Sequence, residues 1–516
     1  MSGTGEKTGA ARTGADARAQ GGAPGPGARS DVPSGISWLI AVLLLAAIAF
    51  RCWAAFVRFL DVDELEHLNA AWFMSDGETI YGSFFENHPP LLHVLLQPIV
   101  RSTTDAVHII LAARGLILVL ALACLYLTAV LGRRLAGRTG FVLAPLLLIS
   151  ATYFFNEGLE VRPDVPACLL LLGTLVVLTG GTGTRRFVWS GALFAVAGFA
   201  TPKVVYAGAG AFLVAILWGS LRATAGGVFR RSIAAIAGAS LVCLAGVLVL
   251  AAFGVLGGFV RDVLGSSLHM EIDQVSEMRA RILGDCLTVN VGLWITGLIG
   301  IVSAVRQARS GRTAESARVI PTRAAIILAA AFLGGFLGTF SIKAPLWQYY
   351  LTFLPALAVL GSLGIVRIVR LATVRSVALG WAASVVLLVV CIGPPARSLA
   401  GIHRMGVEID ILRQVLAVTK PGDRVLDCWT GLYLTRRPAY RYFFLNADVQ
   451  RLLDAGTMEA DLLRILDDPQ VTAVILDDFT LELPMPVQNK IRRDFANIRD
   501  FGILGLVWRE DPPGDD

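Results

Sequence analysis

Apolar runs dominate the first four hundred residues. Stretches near 36–57, 106–130, 140–156, 165–182, 187–201, 204–221, 232–256, 287–305, 324–341, 349–366 and 376–396 carry very little charge. A helix needs roughly 17–25 such residues to cross the hydrocarbon of a bilayer. The pattern therefore predicts an α-helical polytopic membrane body over 35–396 with about eleven transmembrane helices. After residue 396 the pattern changes. The runs DRVLDCW, YRYFFLN, VTAVILDD and ILGLVW have strand length, and EIDILRQVLAV and EADLLRIL have helical period. Residues 397–516 thus read as a C-terminal α/β domain, which either docks on the membrane part, binds an acceptor, or caps the body without chemistry of its own. Residues 1–34, rich in Gly, Ala, Ser and Pro with scattered Arg, read as a disordered cytoplasmic tail.

Composition sharpens this division. The chain of 516 residues is 55% hydrophobic and 16% charged, against about 25% charged in soluble domains, which excludes a purely soluble protein. Residues 401–516 hold 33 of the 84 charged side chains, with 14 basic against 19 acidic, and the remainder has 31 against 20. The formal charge of +6 is therefore no nucleic-acid footprint, because its basic excess sits in the membrane part, where it reports topology. With the N-terminus inside, sixteen basic residues fall in inward connections and eight in outward ones, so the C-terminal domain is expected outside. Seven cysteines without a CxxC pair argue against a disulfide framework or zinc knuckle.

The first outward connection, residues 58–105, carries the densest chemistry. DELEHLNAAWFMSDG reads as a helix closed by Gly77, with Leu65, Leu68 and Trp72 on a face that lies on the bilayer surface. Asp61 and Glu64 have capping-box spacing. Capping leaves Asp63, Glu66 and His67 unexplained, and Asp63 and His67 share one helix face. Carboxylates grouped at a membrane mouth are costly unless used, so Asp63 is the candidate catalytic group. The following FFENHPPLLHVLLQPIV starts a helix at Pro89-Pro90 that is too short to span, hence re-entrant or interfacial. Glu86 and His88 there could share a divalent cation, against the plainer reading of a hydrogen-bonded interfacial histidine. Further outward cations are Arg162 in NEGLEVRPDVP, Lys203 in GFATPKVVYAG and Lys343 in SIKAPLWQYYLTFLP. They suit an anionic headgroup. The bland alternatives are snorkelling for the lysines and an ion pair with Asp164 for Arg162. A carboxylate cluster with several cations at an outer membrane mouth fits a base and phosphate binders acting on a lipid-phosphate sugar.

The stretch DELEH…AAW…IYG.FFENHPPLL resembles the protein mannosyltransferase and lipid A aminoarabinose transferase group of the glycosyltransferase C superfamily, closest to its bacterial members. VRPDVP, the TPK turn and KAPLWQYYLTFLPALAVLGSLG resemble later motifs of that group, so the likeness covers about 36–396. The resemblance implies inverting transfer of a sugar from a polyprenyl-phosphate donor to a glycan, lipid or protein acceptor, at the outer face of a bacterial cytoplasmic membrane. It implies Asp63 at the catalytic carboxylate position with Glu64 beside it, and Glu86 as the second acidic site of the loop. It places Arg162, Asp164, Lys203 and Lys343 around the donor phosphate, where we also expect His88. Two departures stand out: Ser83 replaces an acid common in the group, and Gln348-Tyr349 stand where others carry a histidine.

Two other classes compete with a transferase. A secondary transporter should show internal repeats and charges deep within its spans, and a non-catalytic membrane scaffold with an outer binding domain would have no use for the carboxylates. The topology is directly testable. A reporter fused after residue 400 should be active only on the outer side of the membrane; activity of that fusion in the cytoplasm would overturn the orientation and the proposed compartment of the site.

Overall fold

The computed structural model describes residues 34–218, 225–265, 275–309, 316–343, 345–398, 404–502 and 504–509. The tail expected over 1–34 lies outside the described residues apart from Ser34. In chain order the first helices are α1 (Ser34–Val57), α2 (Val62–Ser75), α3 (Leu91–Val100), α4 (Ala106–Ser150), α5 (Thr152–Glu157), α6 (Asp164–Thr179), α7 (Thr184–Gly198), α8 (Val205–Leu217) and α9 (Ala225–Ala252). The later apolar helices are Val291–Arg309, Ser316–Gly338, Leu354–Arg375 and Val377–Ser398. Every apolar run of the sequence lands on one of these. Among the described residues six are long and apolar enough to cross a membrane, and shorter apolar helical stretches are Leu91–Val100, Asp164–Thr179, Pro202–Leu217 and Val377–Gly393. Large apolar side chains such as Trp38, Leu45, Ile236, Leu241, Leu248 and Val389 point outward, the surface that lipid would cover.

Two of the predicted runs, 106–130 and 140–156, share α4, which folds back at Gly137 with φ +69° and ψ −149°. Only glycine adopts that backbone without strain. A Cβ on Gly132 or on Gly140 would collide with the carbonyl of the other, so two missing side chains let the arms of the hairpin meet. The expected span 349–366 is also resolved more finely: a 3-10 turn at Trp347–Thr352 precedes the helix that begins at Leu354.

The C-terminal residues build a five-stranded mixed sheet from β1 (Arg424–Leu426), β2 (Arg437–Pro438), β3 (Val471–Leu476), β4 (Asn497–Asp500) and β5 (Gly505–Trp508) in the order β2-β1-β3-β5-β4. β1 pairs in parallel with β2 and β3, while β5 runs antiparallel to β3 and β4. The expected strand at YRYFFLN is not formed. Its successive Phe443, Phe444 and Leu445 are all buried, whereas a strand would send alternate side chains to opposite faces. Phe443 instead packs on Phe73 and Phe84, and Phe444 stacks on Trp429 at 4.3 Å. Strand β4 was not anticipated, because NIRD carries little apolar signal.

These aromatic contacts join the sheet region to α2, which overturns the bilayer-surface reading of that helix. Leu65 and Leu68 are buried inside the protein. Gly431, at φ +69°, lies where a Cβ would come within 2.6 Å of Leu65 Cβ, and its carbonyl accepts from Asn69 Nδ2 at 2.8 Å. Arg437 reaches Asp76 at 2.6 Å, at the other end of the helix. The N-terminus of α2 is set by the capping box read from sequence: Asp61 accepts from Asp63 N, and Glu64 Oε1 accepts from Asp61 N at 3.1 Å. Glu64 is also fully buried against Arg114 of α4, whose Nε donates to Oε2 at 2.9 Å and whose Nη2 donates to Oε1 at 2.5 Å. The same guanidinium donates to the carbonyls of Arg58 and Phe59, each at 2.7 Å, and Glu64 Oε2 accepts from Val161 N at 3.2 Å.

Removing one partner of a buried pair strands the other charge and typically costs about 3–5 kcal/mol. Glu64→Gln should therefore lower the thermal midpoint of the detergent-solubilised protein markedly. Asp63→Asn, at a position whose side chain is 26% exposed, should leave it nearly unchanged; equal shifts in a thermal melt would contradict this division of roles.

Candidate functional site

Asp63 and Glu64 are neighbours in the sequence, but side chains one residue apart on a helix point about 100° apart. Glu64 turns into the protein, and Asp63 turns toward the loop between α5 and α6. There Asp63 forms an ion pair with Arg162. Arg162 Nη1 also reaches Glu160 at 2.6 Å, Glu157 at 3.0 Å and Asp61 at 3.9 Å. Arg58 adds a second guanidinium, 2.6 Å from Glu160. Four carboxylates thus share two cations. Burial, with repulsion from Asp61, pushes the Glu157 carboxyl up to about 8, and burial with repulsion from Glu157 and Asp61 holds Glu160 well above the usual carboxylate range. The simple reading of Arg162 as the ion-pair partner of Asp164 is replaced: among the described residues its ion pairs run to Asp61, Asp63, Glu157 and Glu160.

Asp164 is the buried first residue of α6, within electrostatic range of Lys203, Arg162 and His88. Lys203 lies in the 3-10 turn Pro202–Val204, and its Nζ sits 3.7 Å from the centroid of the Tyr349 ring. The tyrosine that departs from the family pattern is therefore the platform under this lysine. Lys343 lies one residue beyond Ile342, whose carbonyl accepts from Arg279 at 2.8 Å.

A second cluster adjoins Asp63 one turn along α2. His67 is buried there, its Nδ1 3.3 Å from Nε2 of His93 on α3. The loop between α2 and α3 brings Glu86, whose Oε1 accepts from His88 N at 2.9 Å and lies 2.7 Å from His88 Nδ1. Glu86 Oε2 lies 3.3 Å from His93 Nε2. The rings of His67 and His88 meet edge to face at 4.7 Å, and Tyr81 Oη donates to the His88 carbonyl at 2.7 Å, holding the loop. Glu66, also buried, forms one trio with His67 and His88, and His67 forms a second with Glu86 and His93, the ligand atoms of each trio lying within 4.8 Å of one another.

The electrostatics of this cluster follow from burial. Desolvation, then repulsion from Glu86 and Asp61, raises Glu66 well above the carboxylate range. Desolvation, then His88, lowers His67 well below the usual imidazole value. Glu86 is also opposed by desolvation, yet His93 and His88 hold it well below the carboxylate range. Sequence reasoning singled out Glu86, His88 and His67 but passed over His93 and assigned Glu66 nothing. The signal for His93 was the Pro89-Pro90 helix start, which puts a residue in the first turn of α3 back against the loop that precedes it.

No protein-family model matches the chain. No curated protein matches it in sequence either. Solved structures do match. The crystal structure of ArnT from Cupriavidus metallidurans bound to undecaprenyl phosphate superposes with a TM-score of 0.58 at 12% identity, over 92% of this chain and 98% of that one. The same protein in the apo state gives 0.57 at 12% identity, with the same coverage. The Archaeoglobus fulgidus oligosaccharyltransferase in complex with zinc and sulfate gives 0.51 at 12% identity, over 92% of this chain and 73% of that one. The chain therefore shares the fold of these two solved proteins.

Proposed function

We propose that this chain is a membrane glycosyltransferase that moves a sugar from a polyprenyl-phosphate donor to an extracytoplasmic glycan, lipid or protein acceptor, with inversion at the anomeric carbon. The observation that carries the reading is the placement of Asp63. It is partly exposed on a rigid, capped helix, held by Arg162, and shares one end of the helical body with Asp164, Lys203 and His88. The structural neighbours support it, since one is bound to undecaprenyl phosphate and the other is an oligosaccharyltransferase. In this reading the eleven apolar runs all cross the membrane with the N-terminus inside, and the sheet region stands outside.

In the reaction, Asp63 accepts the proton of the acceptor hydroxyl as its oxygen bonds to the anomeric carbon. The bond between that carbon and the phosphate oxygen breaks on the opposite face, and the lipid phosphate leaves with the electron pair. Lys203 and Lys343 neutralise the phosphate. Arg162 orients Asp63 in the resting site and adds its charge on the side where the phosphate binds. Asp164 adds a negative charge within electrostatic range of Lys203 and Arg162. Glu64 serves the site indirectly by fixing the start of α2 through Arg114. Glu86 and His88 contribute to a divalent-cation site, and the archaeal neighbour was crystallised with zinc.

A positioned general base is worth roughly 10²–10⁴ in rate. Asp63→Asn should lose at least that much turnover with a polyprenyl-phosphate sugar in proteoliposomes while still binding the donor, and Lys203→Ala should weaken donor binding instead. Near-normal turnover in Asp63→Asn would remove its role as the base. Retention of the anomeric configuration in the product would remove the direct displacement.

A further inference from the structure

The helix ends far from Asp63 carry a concentration of charge of their own. Arg114, beside Glu64, and Arg134 lie on one unbroken arm of α4, and their separation of twenty residues is about 30 Å of helix. At the far end Arg134 Nη1 donates to the Val176 carbonyl at 2.5 Å and to Thr179 Oγ1 at 2.6 Å, and Arg323 Nη1 donates to the Leu178 carbonyl at 2.8 Å. Both cap the C-terminus of α6, where a helix presents unpaired carbonyls and favours cations. Arg186 lies across the next two residues: a Cβ on Gly180 would come within 2.1 Å of its Nη1, and one on Gly181 within 3.2 Å of its Nε. Arg231 of α9 donates to the Ile216 carbonyl at 3.3 Å and stands 6.0 Å from the Phe187 ring. Arg323 is within electrostatic range of both Arg186 and Arg231.

Helix capping and the bias of basic residues toward one side of a membrane do not account for Arg323. It is only 3% exposed, so it does not snorkel to water. Leu178 uses one of its nitrogens, and the other two, Nε and Nη2, have no hydrogen-bond acceptor among the described residues. Those two nitrogens form a single edge of the guanidinium, the fork that matches two oxygens of a carboxylate or phosphate. Arg114 shows the contrast within the same chain, since its Nε and Nη2 are taken by the two oxygens of Glu64. The sequence offers Arg323 little of that kind. No aspartate or glutamate occurs between Asp164 and Asp262, and Glu315, the nearest acid before Arg323, lies outside the described residues. Among the described residues Arg134, Arg186, Arg231 and Arg323 form no ion pair. A buried, unpaired guanidinium edge among like charges is unfavourable unless an anion satisfies it.

We propose that the Nε–Nη2 edge of Arg323, with Arg186 and Arg231 beside it, binds a phosphate group carried by an anionic phospholipid in the leaflet opposite Asp63. The surroundings favour a lipid over a soluble phosphate. Val188 and Trp189 follow Arg186 on α7, and Phe229 and Ile233 flank Arg231 on α9, all four exposed. These two helices are in backbone contact, since a Cβ on Gly191 would lie 2.0 Å from the Ala235 carbonyl oxygen. Guanidiniums and exposed apolar side chains therefore adjoin on one packed pair, as a headgroup joined to acyl chains requires. The bound phosphate ties the ends of α6, α7, α9 and the helix Ser316–Gly338 to one another.

The test uses the full chain, purified in detergent and delipidated. Native mass spectrometry should show one tightly held dioleoylphosphatidylglycerol per wild-type chain and much weaker retention of dioleoylphosphatidylcholine, whose choline offsets its phosphate. The glycerol lipid should also raise the thermal midpoint. Arg323→Lys keeps the charge and removes the fork, so it should weaken lipid binding roughly tenfold or more, as loss of a charged hydrogen bond does. The Arg186→Gln, Arg231→Gln double variant, altered nearer the surface, should weaken it comparably and serves if the buried variant does not fold. Equal retention of both lipids by the wild type overturns the site, and so does undiminished binding in the folded variants. Inorganic phosphate at millimolar concentration should not reproduce the thermal shift; equal protection by it would assign the fork to a soluble phosphate and overturn the lipid. Asp63→Asn should hold the lipid as the wild type does. The readout is lipid binding alone, so loss of the transferase reading would leave this site standing, and loss of this site would leave the transferase reading untouched.

Discussion

The buried pairing of Glu64 with Arg114 is the contact on which the outer end of this protein depends. Arg114 sits on a membrane-type helix where an unpaired charge would be very costly. Its guanidinium is satisfied by both oxygens of Glu64 and by the carbonyls of Arg58 and Phe59. Glu64 in turn accepts from Asp61 N and Val161 N. One ion pair therefore fixes the end of α1, the start of α2, the body of α4 and the loop that carries Arg162. Because the pair is rigid, the adjacent Asp63 is aimed rather than free to wander, and a charged group at a site gains most when it needs no reorganisation to act.

The aimed face of α2 supports two neighbouring groupings with different electrostatic characters. Toward the loop between α5 and α6, carboxylates outnumber guanidiniums, and burial raises Glu157 and Glu160 above the usual carboxylate range. Toward α3, the buried imidazoles of His67 and His93 face buried Glu66 and Glu86, with His88 half-buried at the edge. The sheet region closes α2 from the remaining side, through Gly431 and the Phe73, Phe84, Phe443 and Tyr433 rings. Its second anchor is Arg441, 3.0 Å from Asp262, which also pairs with Arg261 at 2.5 Å beyond the end of α9. The sheet region thus helps to decide the site, because it excludes water from one face of the helix that bears Asp63 and His67. Burial on that scale is what allows the carboxylates and imidazoles to depart from their solution behaviour.

Much of this protein is legible along the chain. The apolar runs mark the helical body because hydrocarbon and core demand the same low charge at every turn. The capping box of Asp61 and Glu64 and the stop at Gly77, with φ +96°, are local and were correctly placed. The motif around Asp63 pointed to the fold that the solved structures share. Tertiary structure decided the rest. It separated the adjacent Asp63 and Glu64 into a partly exposed and a buried carboxylate, paired Arg162 with Asp61, Asp63, Glu157 and Glu160 rather than with Asp164, and kept YRYFFLN out of the sheet. It also brought His93 and Glu66 into one cluster with His67 and Glu86. Periodicity and capping are set by residues within about one turn, so a single chain records them. Partners of buried charges are set by which helix ends meet in space, and spacing in sequence does not encode that.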